Sequence, residues 1–215
     1  MRAAAAAMPA LFSLALLAAA CTAAPAVPPP DTVARIDLGR YAGTWYEIAR
    51  FPNGFQDRGR RCEAVTATYT PQTDGTIAVL NRCRDMAAGG RDATSEGTAR
   101  PVEGSGNAKL RVSFFWPFYG DYWVIGLGPD YRWAVVGTPD RDLLWVLSRT
   151  PAMRAGEYSA ALAIARREGF DTSRLVPTPQ PGAAAVTAPG ATPPGGRRGP
   201  DPLARARLDL ARLVD

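Results

Sequence analysis

The sequence contains no histidine, a single lysine at position 109, and only three cysteines, at 21, 62 and 83. Without histidine the commonest zinc and haem ligand is missing, and cysteines alone in this number do not build a zinc site. Hydrolytic and phosphate chemistry lack their signatures too: there is no G-x-S-x-G elbow and no Gly-rich phosphate loop. One carboxylate, Glu47, falls on the inner face of the first strand and is a conceivable acid–base group. Pairing with an arginine or a backbone donor is the expected role. The chain is therefore expected not to be an enzyme, with no catalytic residue, no metal and no cofactor. The net charge of +5 and the isoelectric point near 9.4 come almost wholly from arginines scattered through an Ala-, Gly- and Pro-rich chain. Nucleic acid is not an expected partner, and contact with anionic lipid head groups is the better reading.

A long hydrophobic run is also missing. The apolar stretch from about Ala10 to Ala20, preceded by Arg2, is too short to cross a bilayer and suits a signal peptide over residues 1–20. Leu17-Ala18-Ala19-Ala20-Cys21 resembles a bacterial lipobox with its leucine displaced by one position. Cys21 is thus expected to carry lipid and to anchor the chain in a membrane through its N-terminus. Residues 21–34 would then be a flexible tether. Ala18-x-Ala20 also satisfies ordinary cleavage, which would yield a soluble periplasmic protein. Thr22 after the cysteine, by resemblance to sorting in enteric bacteria, favours the outer membrane, with the domain facing the periplasm. If Cys21 is lipidated, Cys62 and Cys83 remain as a pair in an oxidising compartment. A disulfide is then expected, closing a loop of about twenty residues and contributing on the order of 3 kcal/mol.

Residues 35–177 read as one domain. Val-, Ile-, Thr- and aromatic-rich runs split by turn residues predict eight strands. These are Thr44–Arg50, Cys62–Tyr69, Thr76–Arg84, Asp92–Pro101, Lys109–Phe115, Asp121–Leu127, Trp133–Thr138 and Leu143–Arg149. Their short connections suit an all-β, antiparallel up-and-down barrel rather than a Greek-key sandwich. One helix is predicted over residues 156–168, with Tyr158, Ala161, Leu162 and Ala165 on the stripe that packs outside the barrel. Residues 178–200 form a Pro/Gly/Ala linker expected to be disordered. Residues 201–215 space their leucines like a short amphipathic helix or a frayed tail.

Several stretches in order resemble the lipocalin family, and within it the bacterial outer-membrane lipocalins related to apolipoprotein D. They are "GTWYEIARFPNGF", "VTATYTPQTDGTIAVLNRC", "LRVSFFWPFYGDYWVIGL", "TPDRDLLWVLSRTP" and "REGFD", covering most of residues 36–177. The resemblance implies that Trp45, two residues after Gly43, closes the narrow end of the barrel against Arg149. A guanidinium over a desolvated indole is worth roughly 2 kcal/mol. It also implies that Thr138-Pro139-Asp140-Arg141 is the family's second conserved block, at that same end.

With the family's register, strand parity selects an inward set. The expected ligand-binding residues are Ala67, Tyr69, Val79, Asn81, Gly97, Ala99, Val112, Phe114, Tyr122, Val124, Val136 and Trp145, with Leu147. The lining is mainly apolar, and Asn81 and the two tyrosine hydroxyls are placed to orient a head group. A fatty acid or a lysophospholipid is the expected partner, stored or carried for envelope maintenance. Another apolar molecule such as a pigment or tetrapyrrole, or a non-ligand role for the C-terminal tail, is the alternative. A homodimer is left open. Trp116, Phe118 and Tyr119 read as a hairpin loop that is either an apolar lip or a cover over a minor core.

Overall fold

The computed structural model describes residues 27–183. The signal peptide over 1–20, Cys21 and its lipidation, and the 201–215 segment lie outside the described residues. So does most of the 178–200 linker.

Eight antiparallel strands close into a barrel: β1 (Gly43–Arg50), β2 (Cys62–Pro71), β3 (Ile77–Asp85), β4 (Arg91–Pro101), β5 (Lys109–Phe115), β6 (Phe118–Leu127), β7 (Trp133–Gly137) and β8 (Leu144–Ser148). Each strand pairs with the next, and β1 pairs with both β2 and β8, so the sheet has no free edge between them. A two-residue strand, β9 (Val176–Pro177), adds to β1 at Ala49 and Arg50, on the edge that β2 leaves after Tyr46. Two one-turn helices precede and follow β1: α1 (Leu38–Tyr41) and α2 (Gly54–Asp57). Asn53 caps α2 by accepting from the Gln56 N–H at 2.9 Å, which is the work of the Pro52-Asn53-Gly54 stop.

Alternation along the strands divides the apolar residues between two cores. Trp45, Tyr69, Val79, Ala99, Leu110, Val124, Ala134, Val136 and Leu147 fill the barrel interior. Ile48, Phe51, Ile125, Val135, Leu144 and Val146 face outwards, onto α3 (Ala155–Arg167). Tyr158, Ala161, Leu162 and Ala165 of α3 are buried there, and Phe170 completes the contact after Gly169 ends the helix with φ +85°. Cys62 and Cys83 are disulfide-bonded across the β2–β3 ladder.

Two stretches expected outside the domain pack against it. The tether's residues 28–34 lie along the barrel: Arg141 Nη2 donates to the Pro28 carbonyl at 2.8 Å, Asp31 N–H to Glu168 at 2.9 Å, and Val33 N–H to the Val124 carbonyl at 3.0 Å. At the other end the domain runs past Pro177. Thr178 and Gln180 are buried, and Gln180 donates to the Glu47 and Val65 carbonyls at 2.8 and 2.9 Å. Both stretches are short of apolar residues, so composition reads as solvated chain. They are held by the side chains of Arg141 and Glu168 and by backbone groups of Glu47, Val65 and Val124.

Candidate functional site

The first strand begins at the closed end of the barrel. There Trp45 is fully buried and donates its indole N–H to the Tyr41 carbonyl at 2.8 Å. The Arg149 guanidinium lies 3.8 Å from the centre of the indole ring. Its three nitrogens donate to the carbonyls of Arg40, Thr44 and Tyr131 at 2.6, 3.1 and 3.3 Å. Gly43, at φ +89°, puts its missing side chain toward Arg149 and adopts a backbone conformation that other residues rarely reach. Thr138–Arg141 is not here. In an up-and-down barrel the connections alternate ends, and the β7–β8 turn falls at the mouth. The turn that meets Arg149 is β6–β7, where Tyr131 also takes the Asp37 N–H on its hydroxyl at 2.9 Å.

Above the plug lies a cavity of about 540 Å³ that opens at the opposite end. Three tyrosines lie at its base. Tyr69 and Tyr41 each meet the Tyr122 hydroxyl, at 2.9 and 2.8 Å, and Tyr69 and Tyr122 face the cavity. Burial pushes Tyr69 up to about 12 and holds Tyr41 and Tyr122 well above the ordinary tyrosine value. The sign is plain: these phenols are neutral in the fold, whereas unfolded tyrosines ionise near pH 10, so alkali favours the unfolded chain. Stability is expected to be flat in this respect below about pH 10. As pH rises towards the folded value of about 12 the Tyr69 contribution, on the order of 3 kcal/mol, is lost. Urea midpoints against pH should show it, with a shallower fall for Tyr69→Phe. Absorbance showing all seven tyrosines of the folded chain ionising near pH 10 would contradict it.

Of the sequence-predicted lining, Ala67, Tyr69, Asn81, Val112, Phe114, Tyr122 and Trp145, with Leu147, border the cavity. Val79, Ala99, Val124 and Val136 also point inwards but are packed into the closed half, so they do not reach it. Gly97 is roofed by Phe114, whose ring would lie 2.8 Å from an added Cβ. The Asn81 Oδ1 is buried without a hydrogen-bond partner among the described residues.

The wall also contains residues that parity does not select. Val65 and Thr66 are neighbours yet both border the cavity, as do Phe114 and Phe115. Each pair lies at a register shift, between Glu63 and Thr66 in β2 and between Val112 and Phe115 in β5. A bulge breaks strict alternation, and no residue type in either strand announces it. Gln56, from α2, reaches in to accept from the Trp145 indole at 3.0 Å and to donate to Glu47 at 2.9 Å. Glu47, 4% exposed, borders the cavity and is held by Arg50 at 2.8 Å and by the Thr178 hydroxyl at 2.5 Å. Among the described residues, Asp121 is the only other charged residue in the wall, and no arginine or lysine borders the cavity. At the mouth, Phe55, Phe115, Trp116 and Phe118 stand exposed, forming a lip rather than a cover. Phe118 and Tyr119 belong to β6, not to the loop.

A closed eight-stranded barrel, plugged at one end and hollow at the other, defines the class of small barrels with room for a single ligand. The lipocalin-like domain family matches residues 36–180, and the chain belongs to that family. It is 46% identical over 169 residues to the "Outer membrane lipoprotein Blc" of Escherichia coli (strain K12), covering 78% of this chain and 93% of that one. It is 40% identical over 158 residues to "Temperature-induced lipocalin-1" of Arabidopsis thaliana, covering 70% and 82%. Among solved structures, lobster apocrustacyanin A1 superposes with a TM-score of 0.56 at 17% identity, covering 71% of this chain and 91% of that one, a likeness of fold alone.

Proposed function

We propose that the protein is a lipid-binding lipoprotein of the bacterial outer membrane that holds one fatty acid or lysophospholipid in its barrel, for storage or transport in the envelope. The observation that carries this reading is the hollow half of the barrel. Its volume of about 540 Å³ lies within the range of small-molecule sites, and its wall is mostly aliphatic and aromatic. Burying about ten methylenes at roughly 0.8 kcal/mol each gives a gross ~8 kcal/mol before association costs. The charge pattern favours an orientation. Among the described residues, Glu47 and Asp121 are the charged residues of the wall; Arg50 and Arg111 pair with them, and no cation itself borders the cavity. An anionic head group is therefore disfavoured inside, so the acyl chain enters first and the head stays at the mouth. Outer-membrane placement is supported by relatives that carry "outer membrane lipoprotein" in their names. The barrel is a binder and not a catalyst in this reading, since the buried carboxylate of Glu47 is engaged by Arg50, Gln56 and Thr178.

The test is native mass spectrometry with lipid extraction on the exported Cys21→Ser chain. One acyl lipid per barrel is expected. Ala67→Trp should abolish it while the barrel stays folded, because Ala67 borders the cavity opposite Trp45 in the β1–β2 ladder. A protein that arrives empty and ignores added fatty acid and lysophospholipid would overturn the reading.

A further inference from the structure

We infer that the open end of the barrel docks on an anionic lipid bilayer, holding the mouth of the cavity against the membrane. Four large side chains project into solvent there: Phe55 at 63%, Phe115 at 78%, Trp116 at 84% and Phe118 at 76% exposure. They come from α2 and from the β5–β6 hairpin, two separate elements that meet around one opening. Three of them border the cavity, but Trp116, the most exposed, does not. Ligand contact therefore does not account for it, and a cluster of bare aromatics marks a surface that something covers.

The charges around the lip identify what covers it. Arg58, Arg60 and Arg61 on the β1–β2 connection, and Arg84 and Arg91 at the β3–β4 hairpin, are all exposed. The acids of those two connections are turned inward. Asp57 is paired with Arg50, and Asp85 is buried and accepts the N–H groups of Arg61 and Ala87. Asp92 is exposed beside them, and Asp140 and Asp142 lie on the β7–β8 turn, on the α3 side. Aromatic tips flanked by cations suit a membrane interface with anionic head groups, where rings sit at head-group level and arginines meet the lipid charge. A second copy of the same rim would set like charges against each other.

The N-terminal segment points the same way. Pro28 is held by Arg141 of the β7–β8 turn, at the mouth, and the chain then runs towards the closed end, where Asp37 meets Tyr131. The described chain thus begins, at Val27 and Pro28, at the level of the lip. Cys21 stands seven residues earlier, a reach of at most roughly 25 Å. With lipid on Cys21, which rests on the function proposed above, the mouth is confined to that distance from the bilayer. The lip itself does not depend on the anchor.

The test uses the full exported chain with Cys21→Ser, so that no acyl anchor contributes. It is mixed with vesicles of phosphatidylethanolamine and phosphatidylglycerol, or of phosphatidylcholine alone, and bound protein is measured by co-sedimentation. Binding to the anionic vesicles is expected, at least about tenfold weaker on phosphatidylcholine. Adding Trp116→Ser should weaken it about tenfold again. Arg58→Glu/Arg60→Glu/Arg91→Glu should remove the preference for anionic lipid. Acyl-brominated lipid should quench tryptophan fluorescence in the parent and much less in the Trp116→Ser protein. Failure to bind vesicles, or binding indifferent to Trp116→Ser, would overturn the inference. So would a concentration-dependent dimer that Trp116→Ser disperses without any vesicle binding. Lipid extraction on the same samples separates the two claims. Loaded protein that ignores vesicles sinks the docking alone, and empty protein that binds them sinks the cargo alone.

Discussion

Trp45→Ala is expected to cost the barrel about 3–5 kcal/mol, the range for deleting a fully buried tryptophan. The loss has three physical parts. The indole is completely inaccessible and sits among the interior residues of the closed half, so alanine leaves a hole that close-packed strands cannot collapse into. Its N–H satisfies the Tyr41 carbonyl, and its ring supports the Tyr41 ring at 4.9 Å between centroids. Its outer face carries the Arg149 guanidinium. Trp45→Phe keeps a ring for the arginine and gives up the indole donor, so a smaller loss of about 1–2 kcal/mol is expected. Arg149→Ala should fall between the two, since it removes a half-buried cation–π contact, worth about 1–2 kcal/mol, and unpairs carbonyls that water can partly reach. Urea unfolding of the three variants measures the order. If Trp45→Ala loses less than about 1 kcal/mol, the indole is not the plug described here.

This end of the barrel was the most legible part of the sequence, and also the place where one motif misled. Gly43-x-Trp45 and Arg149 lie where the first strand starts and the last one stops, and antiparallel closure makes those two points neighbours. Thr138-Pro139-Asp140-Arg141 and Gly128-Pro129-Asp130-Tyr131 are both Pro-Asp turns and locally alike. Only the counting of hairpins separates them. The β2–β3, β4–β5 and β6–β7 connections share the end at which β1 begins, so Tyr131 and not Arg141 reaches Arg149. The inward faces of the strands were readable because alternation is rigid over most of each strand, as was the α3 stripe at helical spacing. The cavity's depth was not readable. Parity tells which side chains point inwards but not how far they fill the space, so Val79, Ala99, Val124 and Val136 are floor rather than lining. Gln56 and Phe55 reach the mouth from a connection, where periodicity carries no information.

Arg50→Ala is the second large effect, expected to destabilise the protein by about 3–5 kcal/mol through the carboxylate it leaves behind. Arg50, 6% exposed, donates to Glu47 at 2.8 Å and to the Thr178 hydroxyl at 3.1 Å, and its other terminal nitrogen meets Asp57. Glu47 is buried as well, so without the guanidinium its charge is left in a poorly solvating, mostly apolar wall. Thr178 and Gln56 still donate to it, which offsets part of the penalty but does not neutralise the charge. The network also ties together parts far apart in the chain: α2 through Gln56 and Asp57, β1 through Glu47, and the C-terminal strap through Thr178 and Gln180. That strap matters where β1 and β2 separate. Their ladder ends at Tyr46 and Thr66, and the Pro179 carbonyl takes the Ala64 N–H at 2.8 Å while Gln180 bridges Glu47 to Val65. Loss of Arg50 should therefore loosen the strap first, and hydrogen exchange at Ala64 and Thr178 should rise more than the global stability change alone requires. Replacing both charges by Glu47→Leu/Arg50→Met is expected to cost less than Arg50→Ala, because the pair's main energetic role is to avoid an unpaired buried charge. A double substitution as damaging as Arg50→Ala would instead mean that the hydrogen bonds of the strap, and not the compensation of charge, hold this side of the barrel closed.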